Sequence, residues 1–334
     1  MDITIAVDAM GGDFAPIEVV KGALESLSID PKLKIILVGH LETIKSILKQ
    51  ESGQDNHPKI EIVHASQVIG MDETPVKALK TKKDSSIAVA ARLVKEHRAQ
   101  SLVSLGNTGV LVASATLTLR HLKKVKRCGI AVPLPTLGGN PCIMMDMGAN
   151  VNCKAENLLQ YAQMASIYAH EVFGVKEPRV GLLNVGEETE KGNDLVKESF
   201  GLLQNANINF AGNVEGRDIY TGEYDVIVCD GFVGNVVLKT SEGLASMIIK
   251  ALKDNLKSSM RTKLGAALSM PAFKQLKKQL DHTEWGGAIV LGLNGTVIVG
   301  HGSSKSNSVK NAIKCAHQSI KYSINDKIIE ELSV

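Results

Sequence analysis

The chain has 334 residues, long for a single core and short for three domains, which points to one large domain or two closely packed lobes. Hydrophobic content of 44% against 22% charged residues supplies a sizeable core. Aromatic content of 4% and a net charge of +3 argue against a nucleic-acid partner, which would need stacking platforms or a basic surface.

The opening Asp-Ile-Thr-Ile-Ala-Val has no basic region followed by a long apolar stretch, so a cytoplasmic protein is expected. Strands are expected at Ile3–Val7, Lys34–Val38, Ile60–Val63, Ser101–Leu105, Gly129–Val132 and Cys142–Asp146. Further strands follow at Val180–Asn184, Tyr224–Cys229, Ala288–Leu291 and Thr296–Val299. Several are continuous apolar runs, as in parallel strands buried on both faces. Helical stretches separate many of them. One begins near Pro16, and another follows the polar cluster Asp84-Ser85-Ser86 with Ile87, Ala90, Ala91 and Val94 at helical spacing. The alternation is that of a doubly wound α/β domain with a largely parallel sheet, spanning residues 1–334.

The stretch from about 241 to 280 breaks this rhythm and reads as a helical excursion. Leu244, Met247, Ile248, Ala251 and Leu252 form one apolar face, and Met260, Leu264, Ala267 and Leu268 another. Pro271 interrupts before Phe273, Leu276 and Leu280.

Four glycine-rich turns follow strands: Asp8-Ala9-Met10-Gly11-Gly12-Asp13, Gly106-Asn107-Thr108-Gly109, Asp230-Gly231-Phe232-Val233-Gly234-Asn235 and Gly300-His301-Gly302-Ser303-Ser304. Glycine lets a backbone approach an anion, and a helix N-terminus offers it free N–H groups. Together they suggest an anion-binding cleft at the carboxyl ends of the strands. His301 between two glycines reads as functional, because a core histidine would not need them. Lys82 and Lys83 precede the Ser85-Ser86 helix start, which fits either a solvated charge pair or a phosphate site.

Other signatures fail. There is no G-x-x-x-x-G-K-[ST], Lys305 stands where a dinucleotide fingerprint needs its third glycine, and His170-Glu171 does not continue into a zinc-protease motif. Cys128, Cys142, Cys153, Cys229 and Cys315 form no C-x-x-C pair. Asp146, Asp225 and Asp230 read as caps or strand-end carboxylates, so no metal and no cofactor is expected.

These glycine turns, with Lys82-Lys83-Asp84-Ser85-Ser86, Gly148-Ala149-Asn150, Gly181 to Glu188 and Gly212 to Asp218, resemble the bacterial phosphate acyltransferases of phospholipid synthesis across nearly the whole chain. Met147, Trp285 and Ile289-Val290 are mild departures from the family pattern. The resemblance implies transfer of a fatty acyl group from acyl carrier protein to inorganic phosphate, and a fold similar to isocitrate dehydrogenases and phosphotransacetylases. It also implies a homodimer working beside a membrane-bound glycerol-3-phosphate acyltransferase.

Phosphate attack on a thioester needs positioning, oxyanion donors and an acid near the leaving sulfur, not a Ser or Cys nucleophile. The expected phosphate cradle is Lys82, Ser85, Ser86, Asn107, Thr108 and Gly109. Asn150, Asn184 and Asn235 are candidate orienting donors, and His301 with Ser303 and Ser304 a proton or oxyanion donor. Asp8, Gly11, Gly12, Asp230 and Gly231 complete the expected substrate site. Leu264, Leu268, Met270 and Phe273, flanked by lysines, form an apolar tip suited to a dimer interface or an anionic membrane surface. The rival readings are a phosphotransacetylase, an NAD-dependent dehydrogenase of the same fold and a non-catalytic membrane-surface scaffold.

Overall fold

The structure, a computed structural model, describes residues 2–273, 275 and 287–333. Of the residues singled out above, Leu276, Leu280 and Trp285 lie outside the described residues.

The first half of the chain runs β1 (Ile3–Asp8), α1 (Ile17–Ser26), β2 (Leu33–Gly39), α2 (Leu41–Ser52), β3 (Ile60–His64), α3 (Pro75–Thr81), α4 (Ser86–Lys95), β4 (Ser101–Ser104) and α5 (Thr108–Leu119). Next come β5 (Gly129–Leu134), β6 (Cys142–Met145), α6 (Ala155–Phe173), β7 (Val180–Leu183), α7 (Asp194–Gln204), β8 (Phe210–Val214) and β9 (Val226–Val228). Helices α8 (Gly231–Leu256) and α9 (Met260–Leu268) precede β10 (Ala288–Leu291) and β11 (Thr296–Val299). Two helices, Ser306–Lys321 and Ile324–Glu331, follow.

All strands among the described residues join one 11-stranded sheet in the order β3-β2-β1-β4-β11-β10-β5-β6-β9-β7-β8. Neighbours are parallel except β11–β10, β10–β5 and β5–β6. The sheet is therefore two parallel halves of opposite direction, joined through β10 and β5. Strand β8 was not expected, because Phe-Ala-Gly-Asn-Val has no continuous apolar or β-branched run.

Each face of the sheet carries its own core. On one face, Ala131, Ile143, Met145, Ile289 and Ile298 pack with Tyr161 and Tyr168 of α6 and Val309 and Ile313 of the helix Ser306–Lys321. On the other, Ile130, Val132, Met144, Val290 and Val299 pack with Val110 and Leu111 of α5 and Ile87 and Ala90 of α4. Side chains alternate between faces along a strand, so neighbouring residues of β5 and β10 belong to different cores.

The helical excursion begins earlier than expected. Helix α8 is continuous for 26 residues from Gly231, and the described break after α9 falls at Ser269, with Pro271 in the first turn of the next helical segment. Asp230 caps α8, its carboxylate accepting N–H bonds from Phe232 at 2.9 Å and Val233 at 3.1 Å. Gly234 presses against the loop after β6, where an added Cβ would lie 1.9 Å from the Asp146 carbonyl oxygen.

That contact is backbone against backbone and has no side chain to yield. Gly234→Ala should therefore lower stability by about 1–3 kcal/mol or more, as overpacking does. Gly201→Ala, on the exposed side of α7 with nothing within 4 Å of the new methyl, should raise it by about 0.4–1 kcal/mol. Urea unfolding midpoints of the two variants should move in opposite directions, and a neutral Gly234→Ala would show that α8 does not seat on this loop.

Candidate active site

The loops after β1, β4 and β11 gather at one edge of the sheet. Asp8, at the end of β1, is fully buried. Its carboxylate accepts the Ser104 hydroxyl at 2.7 Å and the Met10 N–H at 3.1 Å, and the Ser86 hydroxyl also donates to it. Burial pushes the Asp8 carboxyl above its ordinary value, and these hydrogen bonds oppose the shift. The Ser104 oxygen accepts the Gly106 N–H at 3.1 Å. Gly300 N–H reaches the Ser104 carbonyl at 2.9 Å, and Asp13 N–H the Gly302 carbonyl at 2.8 Å. Asp8 thus lies beneath the loops and holds them, instead of facing a substrate. Gly11 and Gly12 belong to the same support and do not line the cavity described below.

The expected phosphate cradle divides. Ser85 caps α4, accepting the Ala88 N–H at 3.4 Å, and both Ser85 and Ser86 are buried. Lys82 donates to the Glu73 carboxylate at 2.6 Å and the Val68 carbonyl at 2.8 Å. Its hydrogen bond holds the Glu73 carboxyl below the usual carboxylate range. Lys82, Ser85 and Ser86 therefore tie segments together and do not line the cavity. Asn107 is also committed: its oxygen caps α5 through the Val110 N–H at 3.1 Å, and its amide nitrogen donates to the carbonyls of Met71 at 2.8 Å and Glu73 at 3.0 Å. Thr108 and Gly109 remain exposed at the start of α5, where the helix leaves its first N–H groups unpaired.

The loops after β6, β7 and β9 lie at the opposite edge, because those strands run the other way. The four glycine turns therefore do not meet at one set of carboxyl ends. Asp146 is fully buried, and its carboxylate collects N–H bonds from Ile130 at 2.9 Å, Gly148 at 3.2 Å, Ala149 at 3.0 Å and Asn150 at 2.8 Å. Burial raises its pKa against these bonds. The Asn150 amide donates to the Cys128 carbonyl at 2.6 Å and the Tyr161 hydroxyl at 2.9 Å, so it serves the frame. Gly231 N–H reaches the Asn150 carbonyl at 2.9 Å. Asn184 bonds within its own loop, to Lys191 and Val185, and with Asp230 and Gly231 stays outside the cavity lining.

The two edges communicate across one face of the sheet. A cavity of about 350 Å³ lies there. Its mouth is formed by Thr108 and Gly109 of α5 with Gly300, His301 and Ser304. Ile130, Val132, Ala288 and Val299 make its floor, and Asn235, Leu238, Lys239 and Glu242 of α8 one wall. Of the expected site residues the fold thus brings together Thr108, Gly109, Asn235, His301 and Ser304. Ser303 stands at the rim, with its hydroxyl 2.8 Å from His301 Nδ1. The Ser303 N–H also donates to that nitrogen at 3.3 Å. Nδ1 is then the acceptor, and in the neutral ring Nε2 carries the proton and is free to donate. Sequence reasoning missed Leu238, Lys239 and Glu242, which carry no signal beyond helical spacing, and the apolar floor, which reads as ordinary strand.

The family model described as fatty acid synthesis protein matches residues 3–327. The chain is 49% identical over 330 residues to the phosphate acyltransferase of Dictyoglomus turgidum, covering 98% of this chain and 97% of that protein. It is 51% identical over 328 residues to the phosphate acyltransferase of Heliobacterium modesticaldum, covering 98% and 97%. Among solved structures, a phosphotransacetylase from Streptococcus pyogenes aligns with a TM-score of 0.64 at 18% identity, over 96% of this chain and 94% of that one. A branched-chain phosphotransacylase from Enterococcus faecalis aligns with a TM-score of 0.57 at 16% identity, over 95% and 99%. At such identities the structural likeness speaks for the fold alone.

The bonding of the α5 loop separates two adjacent residues. Asn107→Ala loses a helix cap and two further hydrogen bonds and should cost about 1–2 kcal/mol of stability. Thr108→Ala removes a side chain exposed at the cavity mouth and should leave the unfolding midpoint unchanged. Equal midpoints for the two variants in a denaturant titration would contradict these assignments.

Proposed function

The chain belongs to the phosphate acyltransferase family and is an acyltransferase of fatty acid and lipid synthesis, and on that premise we propose that it moves a fatty acyl group from acyl carrier protein to inorganic phosphate. The product is an acyl phosphate, consumed in phosphatidic acid synthesis. The observation that carries this reading is the cavity itself, in which a helix N-terminus, a histidine and a serine face an apolar slot.

The chemistry fits those groups. Near neutral pH phosphate is already anionic, since phosphoryl groups lose their second proton at a pKa of about 6. The first N–H groups of α5 favour an anion there. One phosphate oxygen attacks the thioester carbonyl carbon, forming a C–O bond as negative charge grows on the carbonyl oxygen. Collapse breaks the C–S bond and releases the carrier's thiolate. His301 Nε2–H stands ready to donate to the oxyanion or to the departing sulfur, and Ser303 fixes the ring. None of these steps requires a metal to create the nucleophile.

The same reading includes a homodimer and peripheral contact with the membrane and its glycerol-3-phosphate acyltransferase, on the cytoplasmic side. The support is the outer part of α8, α9 and the turn that follows, where Leu244, Met247, Ile248, Leu264, Leu268 and Met270 are exposed, while Phe273 is half-buried. Helix α8 is also long and apolar enough to cross a bilayer by length and composition. Its first turns, however, are capped by Asp230 and packed on the Asp146 loop, which suits a projecting surface element.

The direct test is an assay with acyl-acyl carrier protein and labelled phosphate in excess chelator. Acyl phosphate should form, and none forming would overturn the reading. His301→Gln should lower kcat about 10²- to 10⁴-fold with little change in KM, as loss of an acid catalyst does. Near-normal turnover would confine His301 to shaping its loop.

A second measurement addresses the surface role. Leu268→Glu should abolish sedimentation with anionic liposomes while leaving dimer mass and solution activity intact. If the variant dissociates to monomers instead, the residue belongs to the subunit interface.

A further inference from the structure

The mouth and the depth of the cavity differ in character. Thr108, Gly109, Gly300, His301 and Ser304 stand at the edge where β4 and β11 end. Strand register leads the floor away from them. Ser104 pairs with Val299, Val299 with Ala288, and Ile289 with Ala131, so Ala288 and Val132 stand level with the end of β4. Ile130 lies two residues before Val132 in β5, about 7 Å away from the mouth at the usual strand rise. Met147 adjoins it, its N–H on the Ile130 carbonyl at 2.9 Å, and lines the far part of the slot.

The floor is aliphatic throughout. Leu238 adds to it from α8, whose polar lining residues are Asn235 and Lys239, both exposed, and Glu242, half-buried and accepting a hydrogen bond from Lys239 at 2.9 Å. Among the described lining residues there is no Phe, Tyr or Trp ring on which a nucleotide base could stack. The volume is that of a small-molecule pocket, far below what a carrier protein would need, so only the group the carrier bears can enter.

We propose that this slot receives the hydrocarbon chain of the acyl substrate, with the carbonyl at His301 and the methyl end towards Met147, and that Ala288 and Ile130 set the chain length accepted. The assignment rests on the acyl-transfer reading above and adds a specificity determinant to it. Ala288 is half-buried and faces the space with a single methyl, so the floor is lowest where the chain must enter. Ile130 is 3% exposed and bulkier, and raises the floor further in. A larger residue at Ala288 would stop chains long enough to pass it while leaving the shortest acyl groups room beside His301, and a smaller one at Ile130 would open space beyond it.

The test compares wild type, Ala288→Leu and Ile130→Val on carrier-bound acyl groups of increasing length. Ala288→Leu should lower the long-to-short ratio of kcat/KM by about tenfold or more, the scale on which a pocket discriminates methylenes, with the KM for phosphate unchanged. Ile130→Val should raise the ratio. In parallel, saturated free fatty acids of increasing length are titrated in a thermal-shift measurement, which needs no turnover. The longest acid that stabilises wild type should stabilise Ala288→Leu less than a shorter one does. A uniform loss across all lengths, or an unchanged fatty-acid profile in both variants, would overturn the assignment. Should Ala288→Leu fail to fold, the ratio for Ile130→Val decides alone, and no rise would sink the idea. If wild type makes no acyl phosphate yet the length profile still moves with Ala288→Leu, the slot stands and the acyl-transfer reading falls.

Discussion

Strands β10 and β5 run against their neighbours at the centre of the sheet, and that reversal dictates where every other element can place its helix. A parallel strand releases its following helix at its own carboxyl edge. With two half-sheets of opposite direction, α5 starts from one edge and α8 from the other, and both cross the same apolar face. The space left between them is the cavity. A sheet parallel throughout would have put all the glycine turns at one edge and closed this face with helices running the same way.

Each half fixes its edge by the same physical device, a buried carboxylate at a strand end that collects donors from several loops. Asp8 holds Ser86, Ser104 and Met10, and Asp146 holds Ile130, Gly148, Ala149 and Asn150. Burial alone would push both towards neutrality, and the hydrogen bonds resist it. The cost of burying such a group is offset only while all its donors stay in place, so each carboxylate opposes movement of its loops. That leaves the mouth residues Thr108 and His301 on anchored segments, as a site that works by positioning needs.

The sheet was largely legible because strands covered on both faces are continuous apolar runs, and it failed at Phe210–Val214, where glycine and asparagine interrupt the signal. The site was half legible. Small and polar residues after strands marked the Thr108 and His301 loops and, through Asn235, the start of α8. Strand direction was not marked, so loops destined for opposite edges seemed to converge. Nor does a lysine announce its partner: Lys82 is occupied by Glu73, nine residues earlier but brought round by α3. The glycines beside His301 were read as a sign of function, yet a Cβ on Gly300 would lie 2.7 Å from Leu105 Cγ, so packing against the β4 loop requires that glycine. Ala288 and Ile130 were invisible as site residues, because an apolar side chain on a sheet face looks the same under a helix or under a cavity.

Helix α8 combines a fixed wall with an exposed apolar arm, and its geometry reconciles the two. The Asp230 cap and the Gly234 contact act at its first turn. Asn235 lies one residue beyond that contact, about 1.5 Å along the axis, whereas Leu252 lies eighteen residues beyond, about 27 Å away. If the rod tilts about the Gly234 contact, displacement grows with distance along it. A shift of several ångströms at Leu252 then moves Asn235 by a few tenths of an ångström and Leu238, four residues out, by about an ångström. The exposed turns can therefore yield to whatever covers them while the cavity wall moves only by a fraction of that shift, least at Asn235, because the close backbone contact sits beside the wall and not midway along the helix.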